Sequence, residues 1–589
     1  MEDMKTGSSR DPKQKNVNKA HILPQYLASF TVSLGAFGQG TVAGWTSPAG
    51  LPLLGGAMHF TVSDIQLSWI GALMALGAAA AVIPMGCMID KVGRKTSMLL
   101  LVVPFTVGWA LIIWADSVGM LCAGRFLTGM AGGAFAISGP VYTTEIAQKE
   151  VRGLMGSFYQ NLVVSGILFT YAVGSALSPF WLSVVCAGVP LMFAVTFVFM
   201  PETPQYFLKA GEPKKARDAL RWLRGPDYDM EPELQEMHEA VEEESRNSAS
   251  LRELFASRGT LKGLVVSVGL LSLQQLSGTN FVTFYTTVIF QALGSCGLCC
   301  EVGPSDGEAG LQQTSFSGAT AGAGLGAGRA VASSTTSIIS YVAHEIYLEA
   351  GSQISPSLAT IMVGACQVVF TLLSGLVVDR VGRKEAGSQI SPSLATIMVG
   401  ACQVVFTLLS GLVVDRVGRK VLLIVSHALM SLCMFALGAF FYLKTTGWDV
   451  SSLGWLPITS ITLYFISFAV GSGPLPWVVM AEVFLPSVKG VAGAITCLVN
   501  WLLAFAVTKL FVDLAVACGM HSTLWVFAAV LLSGTVFVGL VVPETKGKTT
   551  DQIFRELNGG PPVEESPGFP SLSESILESE LRGRSTLRV

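Results

Sequence analysis

Long apolar runs separated by short polar stretches dominate the chain. Thirteen of these runs are about twenty residues long and contain few charged side chains. They lie at 25–46, 68–89, 96–115, 119–142, 155–178, 180–200, 262–291, 357–378, 393–414, 421–442, 457–481, 490–514 and 522–542. Because a helix of about 20 apolar residues crosses the hydrocarbon core of a bilayer, the pattern predicts an all-α polytopic membrane protein.

Charged residues are scarce and unevenly placed. They make up 13% of the chain, about half of the share found in soluble domains. Lysine and arginine are concentrated at the N-terminus, after Asp90, after Glu145 and in the stretch 209–260. Three loops contain neither: 47–67, 116–118 and 515–521. Since basic loops stay on the cytoplasmic side, both termini are predicted to be cytoplasmic. Residues 1–24 lack the apolar core of a cleavable signal peptide.

Three strings recur in the same order along the chain. DKVGRK, beginning at Asp90, returns as DRVGRK, and PETPQ at Pro201 returns as PETKG at Pro543. Between them, the segment around Glu145 returns around Glu482. This order predicts two homologous halves of six helices each, an arrangement found in transporters built from repeats.

One 36-residue string occurs twice without a difference, at 349–384 and at 385–420. In the first half of the chain, 55 residues separate the corresponding aspartate and glutamate of the repeat. In the second half, Asp415 precedes Glu482 by 67 residues, whereas Asp379 precedes it by 103. The downstream copy is therefore the one in register.

The block 292–384, which contains the upstream copy, is surplus to the repeat. If both copies crossed the membrane, every later helix would be inverted and Lys489 and Lys546 would lie outside, against the charge bias. Twelve spans agree with the charges. Fourteen would also agree if the Ser- and Thr-rich segment 317–343 crossed as well.

The predicted organisation has five parts. A bundle of six helices is followed by a charged linker, a second bundle that contains the surplus block, and a tail rich in Pro, Ser and Glu that is predicted to be disordered from residue 548. The boundaries are 1–24 for the cytoplasmic N-terminus, 25–200 for the first bundle, 201–260 for the linker helices, 261–542 for the second bundle and 543–589 for the cytoplasmic tail.

Several strings together resemble one family. These are GCMIDKVGRK, GRFLTG, PVYTTEIA, PETPQYFL, QQLSGTNFVTFYTTVIF, GPLPWVVMAEVF and PETKG. The chain is similar over 25–291 and 385–547 to the sugar porter family of the major facilitator superfamily, which includes facilitative glucose transporters and insect trehalose transporters. The resemblance implies the major facilitator fold, with one duplicated span, helix 8, in the inserted block. It also implies a small-molecule sugar as substrate and a place in the plasma membrane.

The resemblance assigns a set of sugar-binding residues. A sugar needs neutral hydrogen-bonding side chains beside aromatic rings in a mostly apolar cavity. The positions that match the family are Gln160, Gln274, Gln275, Asn280, Tyr285, Gln403, Trp477, Asn500 and Trp501. From spacing alone, hydrogen bonding between helices explains Gln274, Gln275 and Asn280 equally well, and Gly278 between them is typical of a local helix break.

A second set consists of charged residues at the cytoplasmic ends of spans, together with the buried charge Arg125. Its members are Asp90, Arg94, Arg125, Glu145, Arg152, Asp415, Arg419 and Glu482. Salt bridges between the two bundles are expected to close the cytoplasmic side and to break when it opens; alternatively, these charges only fix loops and topology. Arg125 is expected to pair with Glu145 or its neighbours. Lys509 either snorkels to an interface or has a function.

The lack of an acidic residue in the first span predicts how transport is energised. Proton-coupled relatives have an aspartate in the string FGYDT, where this chain has FGQGT with Gly40, and no acidic residue occurs from 22 to 47. A uniporter is therefore expected. The chain contains no P-loop, metal-spacing cluster, nucleophile motif or nucleic-acid motif, so neither an enzyme nor a cofactor is expected. The alternatives are a non-transporting sugar sensor and a variant made inactive by the duplicated helix.

Overall fold

The computed structural model describes residues 20–56, 60–148, 151–246, 257–284, 392–450, 453 and 455–559. Within these ranges all regular structure is helical. The surplus block 292–384 and Tyr285 lie outside the described residues.

Seven helices build the first bundle. They are α1 (Leu23–Leu54), α2 (Asp64–Val92), α3 (Arg94–Leu100), α4 (Val102–Ile113), α5 (Val118–Ile146), α6 (Arg152–Gly174) and α7 (Pro179–Phe197). The helices α3 and α4 form one span that is interrupted at Leu101. Helix α1 packs against α5, α6 and α7, and α5 packs against α2 and α4.

The linker and the second bundle follow. The linker contains α8 (Pro204–Lys209), α9 (Pro213–Arg224) and α10 (Glu231–Arg246). The second bundle contains α11 (Arg258–Leu276), α12 (Pro392–Val417), α13 (Arg419–Thr445), α14 (Trp455–Ser467), a π turn (Phe468–Ser472), α15 (Leu475–Val483), α16 (Pro486–Cys518) and α17 (Met520–Val541). The tail begins with α18 (Thr550–Leu557). The two bundles meet where α2 packs against α16 and α6 packs against α12.

The helices follow the apolar runs of the sequence. Eleven of the thirteen predicted runs and the described part of a twelfth, 262–284, fall on helices, and the run at 357–378 lies outside the described residues. Eight helical segments in the described part of the chain are long and apolar enough to cross a membrane. The protein is therefore an all-α polytopic membrane protein.

Glycines allow neighbouring helices to approach until their backbones touch. A Cβ atom on Gly77 of α2 would lie 2.1 Å from the carbonyl oxygen of Phe126, and one on Gly129 of α5 would lie 2.1 Å from that of Met74. On α1, a Cβ on Gly40 would lie 2.0 Å from the Val163 carbonyl oxygen. Small residues are the usual means of close helix packing in membranes, and here no larger side chain fits.

The prediction of a disordered tail from residue 548 was wrong for its first part. Residues 550–557 form α18, which starts with a capping box between Thr549 and Gln552. Ile553 and Leu557, four residues apart on one face, are buried in the same cluster as Val266 of α11. The amino-acid composition of the tail did not predict this helix. Two apolar residues on one face are sufficient to dock a short helix on a preformed bundle, and they hardly change the composition.

Replacing Gly77 by valine is expected to destabilise the first bundle by about 3 kcal/mol, because the added atoms overlap the α5 backbone. Gly86, on the same helix, has no atom within 4 Å of its would-be Cβ, so Gly86→Val is the matched control. Thermal unfolding of the purified protein in detergent measures both. Equal unfolding temperatures for the two variants would contradict the proposed contact.

Candidate functional site

The helix α11 breaks within the amide cluster. Gly278 has a φ of +84°, a conformation that favours glycine, and the chain becomes helical again from Thr279. Hydroxyl groups hold the break: Tyr464 Oη lies 2.8 Å from Thr279 Oγ1 and 3.2 Å from Ser277 Oγ. The break turns side chains that precede and follow it towards each other.

Three amides form a continuous hydrogen-bonded chain. Asn280 Nδ2 donates to Gln275 Oε1 at 2.6 Å, and Gln275 Nε2 donates to Asn500 Oδ1 of α16 at 2.8 Å. Gln275 and Asn500 are buried and Asn280 is half-buried. Each amide has two donors and two acceptor lone pairs, so this chain leaves donors and acceptors for a further ligand.

Gln274 has a different role from its neighbour. Its Nε2 donates to the carbonyl oxygens of Ser472 and Gly473, both at 2.7 Å. These carbonyls belong to the π turn and its end, so both amide hydrogens are directed at the backbone of another helix. Gln274 therefore joins α11 to the π turn and does not belong to the amide chain.

The other described residues of the predicted sugar-binding set make no hydrogen bond to this cluster within the described ranges. Gln403 of α12 is buried, and its amide makes no hydrogen bond within the described ranges. Trp477 of α15, Trp501 of α16 and Gln160 of α6 are half-buried. The amide chain thus joins three of the nine predicted residues.

Gln39 of α1 is a polar residue that sequence reasoning did not select. Its Oε1 accepts a hydrogen bond from Tyr159 Oη at 2.8 Å, and it is half-buried. Tyr159 precedes the predicted residue Gln160 on α6, so this bond ties Gln39 to the helix that carries Gln160. The sequence feature that could have identified Gln39 is an amide inside an apolar span, because polar side chains are costly in a membrane.

The charges after α2 form a buried network within the first bundle. Arg94 Nε and Nη2 lie 3.1 and 2.9 Å from Glu145 Oε1, and Arg94 Nη1 lies 3.4 Å from Asp90. The Glu202 carboxylate accepts from the backbone N–H groups of Arg94 and Lys95. The arginine side chain is 3% exposed and that of Glu145 is 9% exposed, so the network fixes the loop between α2 and α3 onto α5.

The second bundle repeats this network. Arg419 Nη2 lies 3.2 Å from Glu482 Oε1, and Glu544 accepts from the backbone N–H groups of Arg419 and Lys420 at 3.1 Å. Asp415 lies on α12, but its side chain is outside what the structure describes. The internal repeat of the sequence is therefore also a repeat of charge pairing.

These ion pairs lie within a bundle, contrary to the expectation of pairs between bundles. Arg94 and Glu145 join α3 to α5, and Arg419 and Glu482 join α13 to α15. Arg152 of α6 donates to the Ala147 carbonyl oxygen of its own bundle at 3.3 Å. The Glu145 and Glu482 carboxylates lie at the ends of helices that pack side by side within one bundle. The nearest arginine therefore belongs to the same bundle.

The expected pairing of Arg125 with Glu145 was wrong. Both residues lie on α5, twenty positions apart, which corresponds to about 30 Å along a helix. The Arg125 guanidinium is fully buried and donates to Val42 O, Ile70 O and Thr46 Oγ1. Sequence could not show this, because the acceptors are mostly backbone carbonyls.

The two bundles also meet at the end that lacks basic loops. The Trp69 ring of α2 lies 6.0 Å from that of Phe505 on α16, and Lys509 Nζ lies 5.4 Å from the Trp69 ring centroid. Tyr171 Oη of α6 donates to the Thr283 carbonyl oxygen at 2.7 Å. Lys509, which also pairs with Asp513 at 2.8 Å, therefore takes part in a contact between the bundles.

The linker is tied to the first bundle by a buried arginine. Arg224 of α9 is fully buried, pairs with Glu233 of α10 at 2.7 Å and donates to the Ile146 carbonyl oxygen at the end of α5. Burial and the nearby Glu233 carboxylate raise the pKa of Tyr228 in the same loop. The linker thus braces the end of α5.

Comparison with known proteins places this geometry in a family. The family described as sugar (and other) transporter matches residues 10–297 and 385–557. The chain belongs to this sugar transporter family. The match resumes at Glu385, the first residue of the downstream copy, and leaves 298–384 unmatched.

Several relatives of this sugar transporter are insect proteins. The chain is 34% identical over 543 residues to the facilitated trehalose transporter Tret1-2 homolog of Drosophila simulans, covering 92% of each chain. It is 34% identical over 545 residues to trehalose transporter 1 of Drosophila melanogaster, of which it spans about half, 53%.

Solved structures share the fold. The partially occluded inward open conformation of the xylose transporter XylE from E. coli matches with a TM-score of 0.62 and 20% identity, over 89% of this chain and 99% of that one. The major facilitator proton:xylose symporter XylE bound to 6-bromo-6-deoxy-D-glucose matches with a TM-score of 0.60 and 19% identity, over 90% and 98%. The sugar transporter therefore has the major facilitator fold.

Replacing Gln275 by leucine is expected to destabilise the sugar transporter by about 2 kcal/mol, because Asn500 and Asn280 each lose a buried partner. The control is Gln160→Leu, since the Gln160 amide makes no hydrogen bond within the described ranges. Thermal unfolding in detergent without added sugar compares them. An equal or smaller loss for Gln275→Leu would show that the amide chain does not hold α11 to α16.

Proposed function

We propose that this chain carries a sugar, a hexose or trehalose, across a membrane by facilitated diffusion. The observation that supports this most directly is the amide chain of Asn280, Gln275 and Asn500, which joins α11 and α16. The group is neutral and can both donate and accept hydrogen bonds, and Trp501 follows Asn500 along α16. Sugar hydroxyls have the same two-sided hydrogen-bonding capacity, and their ring faces pack on aromatic side chains.

The proposed binding set keeps the nine residues expected from the sequence and adds Gln39. The second bundle supplies most of it, and the first bundle supplies Gln39 and Gln160. The names of the relatives as trehalose transporters favour trehalose over a hexose. Nothing in the site requires an ionic substrate, because its hydrogen-bonding side chains are uncharged amides.

Alternating access is the mechanism that the contacts between the bundles support. We propose that the end with the basic loops is cytoplasmic, at the plasma membrane, and that the contacts of Trp69, Lys509 and Tyr171 close the opposite, outer end. At the basic end, the Glu482 carboxylate of the same bundle attracts Lys489 of α16, whereas Arg152 of α6 in the other bundle repels it. Glu482 Oε2 is buried and accepts no hydrogen bond within the described ranges, so it has room for a donor from the other bundle when this end closes.

Transport without proton coupling is part of the proposal. No acidic residue occurs from 22 to 47, and the contact between Gly40 and the Val163 carbonyl leaves no space for a side chain there. The buried cation Arg125 donates to backbone carbonyls and a threonine hydroxyl, which do not change protonation near neutral pH.

A uniporter is expected to equilibrate the sugar and not to concentrate it. In proteoliposomes with an imposed pH gradient, labelled trehalose or glucose should reach the external concentration and stop there. Liposomes that contain Asn500→Leu, which removes the acceptor of the amide chain, are the control for binding-dependent entry. Accumulation above the external level that a protonophore abolishes would overturn uniport while leaving sugar transport intact.

The downstream copy, 385–420, is proposed to be the functional helix 8, which the resumption of the family match at Glu385 supports. Removing 292–384 is therefore expected to preserve uptake of labelled glucose or trehalose in cells, at equal surface expression. Uptake only by the shortened chain would show that the insertion inactivates the transporter. Uptake by neither form, with sugar still binding, would favour the alternative of a non-transporting sensor.

A further inference from the structure

The span formed by α14, the π turn and α15 has a side chain of another helix inserted into its backbone ladder. Gly473 N–H closes the π turn on Phe468 O at 2.7 Å. One residue earlier, Ser472 N–H donates to Ser426 Oγ at 3.0 Å, and Ser426 Oγ–H donates to Ser467 O at 2.7 Å. The Ser426 hydroxyl of α13 therefore bridges the Ser472 N–H group and the Ser467 carbonyl oxygen.

The Ser426 bridge is closely packed and buried. A Cβ atom on Gly471 would lie 2.3 Å from Ser426 Cβ, so only glycine lets the turn approach α13 this closely. Ser426 is 3% exposed and Ser472 is fully buried. No bulk water reaches the site to replace the hydroxyl, and loss of the bridge would leave buried backbone groups unsatisfied, which is costly.

The turn is held from a second side by α11. Gln274 Nε2 donates to Ser472 O and Gly473 O, so the side chains of two helices complete one short stretch of backbone. Inserted side chains and π turns are recognised causes of helix bending. Here they also connect this span to the helix that carries the amide chain.

The π turn determines which way the following helix faces. One residue more or less in a helix rotates all that follows by about 100°. In α15, Leu475, Val479 and Val483 are buried, whereas Trp477 lies on the other face and is half-buried. If the turn reverted to a regular α-helix, Trp477 would rotate away from its present direction and Val479 would leave the buried row.

We propose that Ser426 is a positioning residue for sugar binding, whose hydroxyl maintains the π turn and thereby sets the direction of the Trp477 indole. The inference rests on the proposed function, because Trp477 is a proposed sugar contact. Gln274, which donates to Ser472 O and Gly473 O, braces the same turn from α11.

The direct test is cysteine labelling, which does not require transport. Trp477→Cys and Val479→Cys are made singly, and their modification rates by a maleimide are compared after subtracting the labelling of the unsubstituted chain. Position 477 is expected to react faster than 479. Adding Ser426→Ala should lower the ratio of the two rates by about tenfold. Ser431→Ala, which removes a similar bond from α13 to the Ala528 carbonyl, should leave the ratio unchanged.

Sugar uptake supplies the second measurement. Ser426→Ala and Trp477→Ala are expected to raise KM by about tenfold, and Ser431→Ala to leave it unchanged. An unchanged labelling ratio in Ser426→Ala overturns the positioning role, and a changed ratio with an unchanged KM overturns its link to sugar binding. Absence of uptake by the unsubstituted chain overturns the proposed function instead, and the labelling ratio still decides the role of Ser426.

Discussion

In the hydrocarbon region of a bilayer, a polar group has to find its hydrogen-bond partner inside the protein, because no water is present to replace it. Much of what is specific in this structure follows from that constraint. Arg125 is buried against two backbone carbonyls and a threonine hydroxyl. Gln274 and Ser426 complete the backbone of a π turn on another helix. Each of these three side chains therefore fixes one helix relative to another.

The same constraint separates stability from function within the candidate site. Adjacent glutamines on α11 have different partners: Gln274 is committed to backbone carbonyls, whereas Gln275 belongs to a chain of amides with capacity to spare. A sugar can replace an amide partner with little loss, because hydroxyl and amide groups both donate and accept. Replacing a backbone brace is harder, since the carbonyls would be left without a donor.

Close glycine packing and charge pairing give the two bundles their internal rigidity. The contacts of Gly77 and Gly129 bring α2 and α5 to backbone distance, and the Arg94 and Arg419 networks lock the corresponding loop of each half. Since these interactions stay within a bundle, they do not oppose movement of one bundle against the other. Among the described residues, the contacts between the bundles include the packing of α2 on α16 and of α6 on α12, aromatic and cation–π contacts at Trp69, and a hydrogen bond from Tyr171.

The sequence by itself determined the helices, the repeat and the family, because apolar runs of membrane length and strings such as DKVGRK are local properties of the chain. It also selected Gln275, Asn280 and Asn500 as one site through the family resemblance. It did not determine the partners: Arg125 was expected to pair with Glu145, the ion pairs were expected between bundles, and α18 was expected to be disordered. Only the tertiary structure decided these points, because a buried polar group bonds to whatever its neighbouring helix presents, often a backbone carbonyl. For Gln274 and Ser472 that neighbour is 198 positions away in the chain, and no local pattern records it.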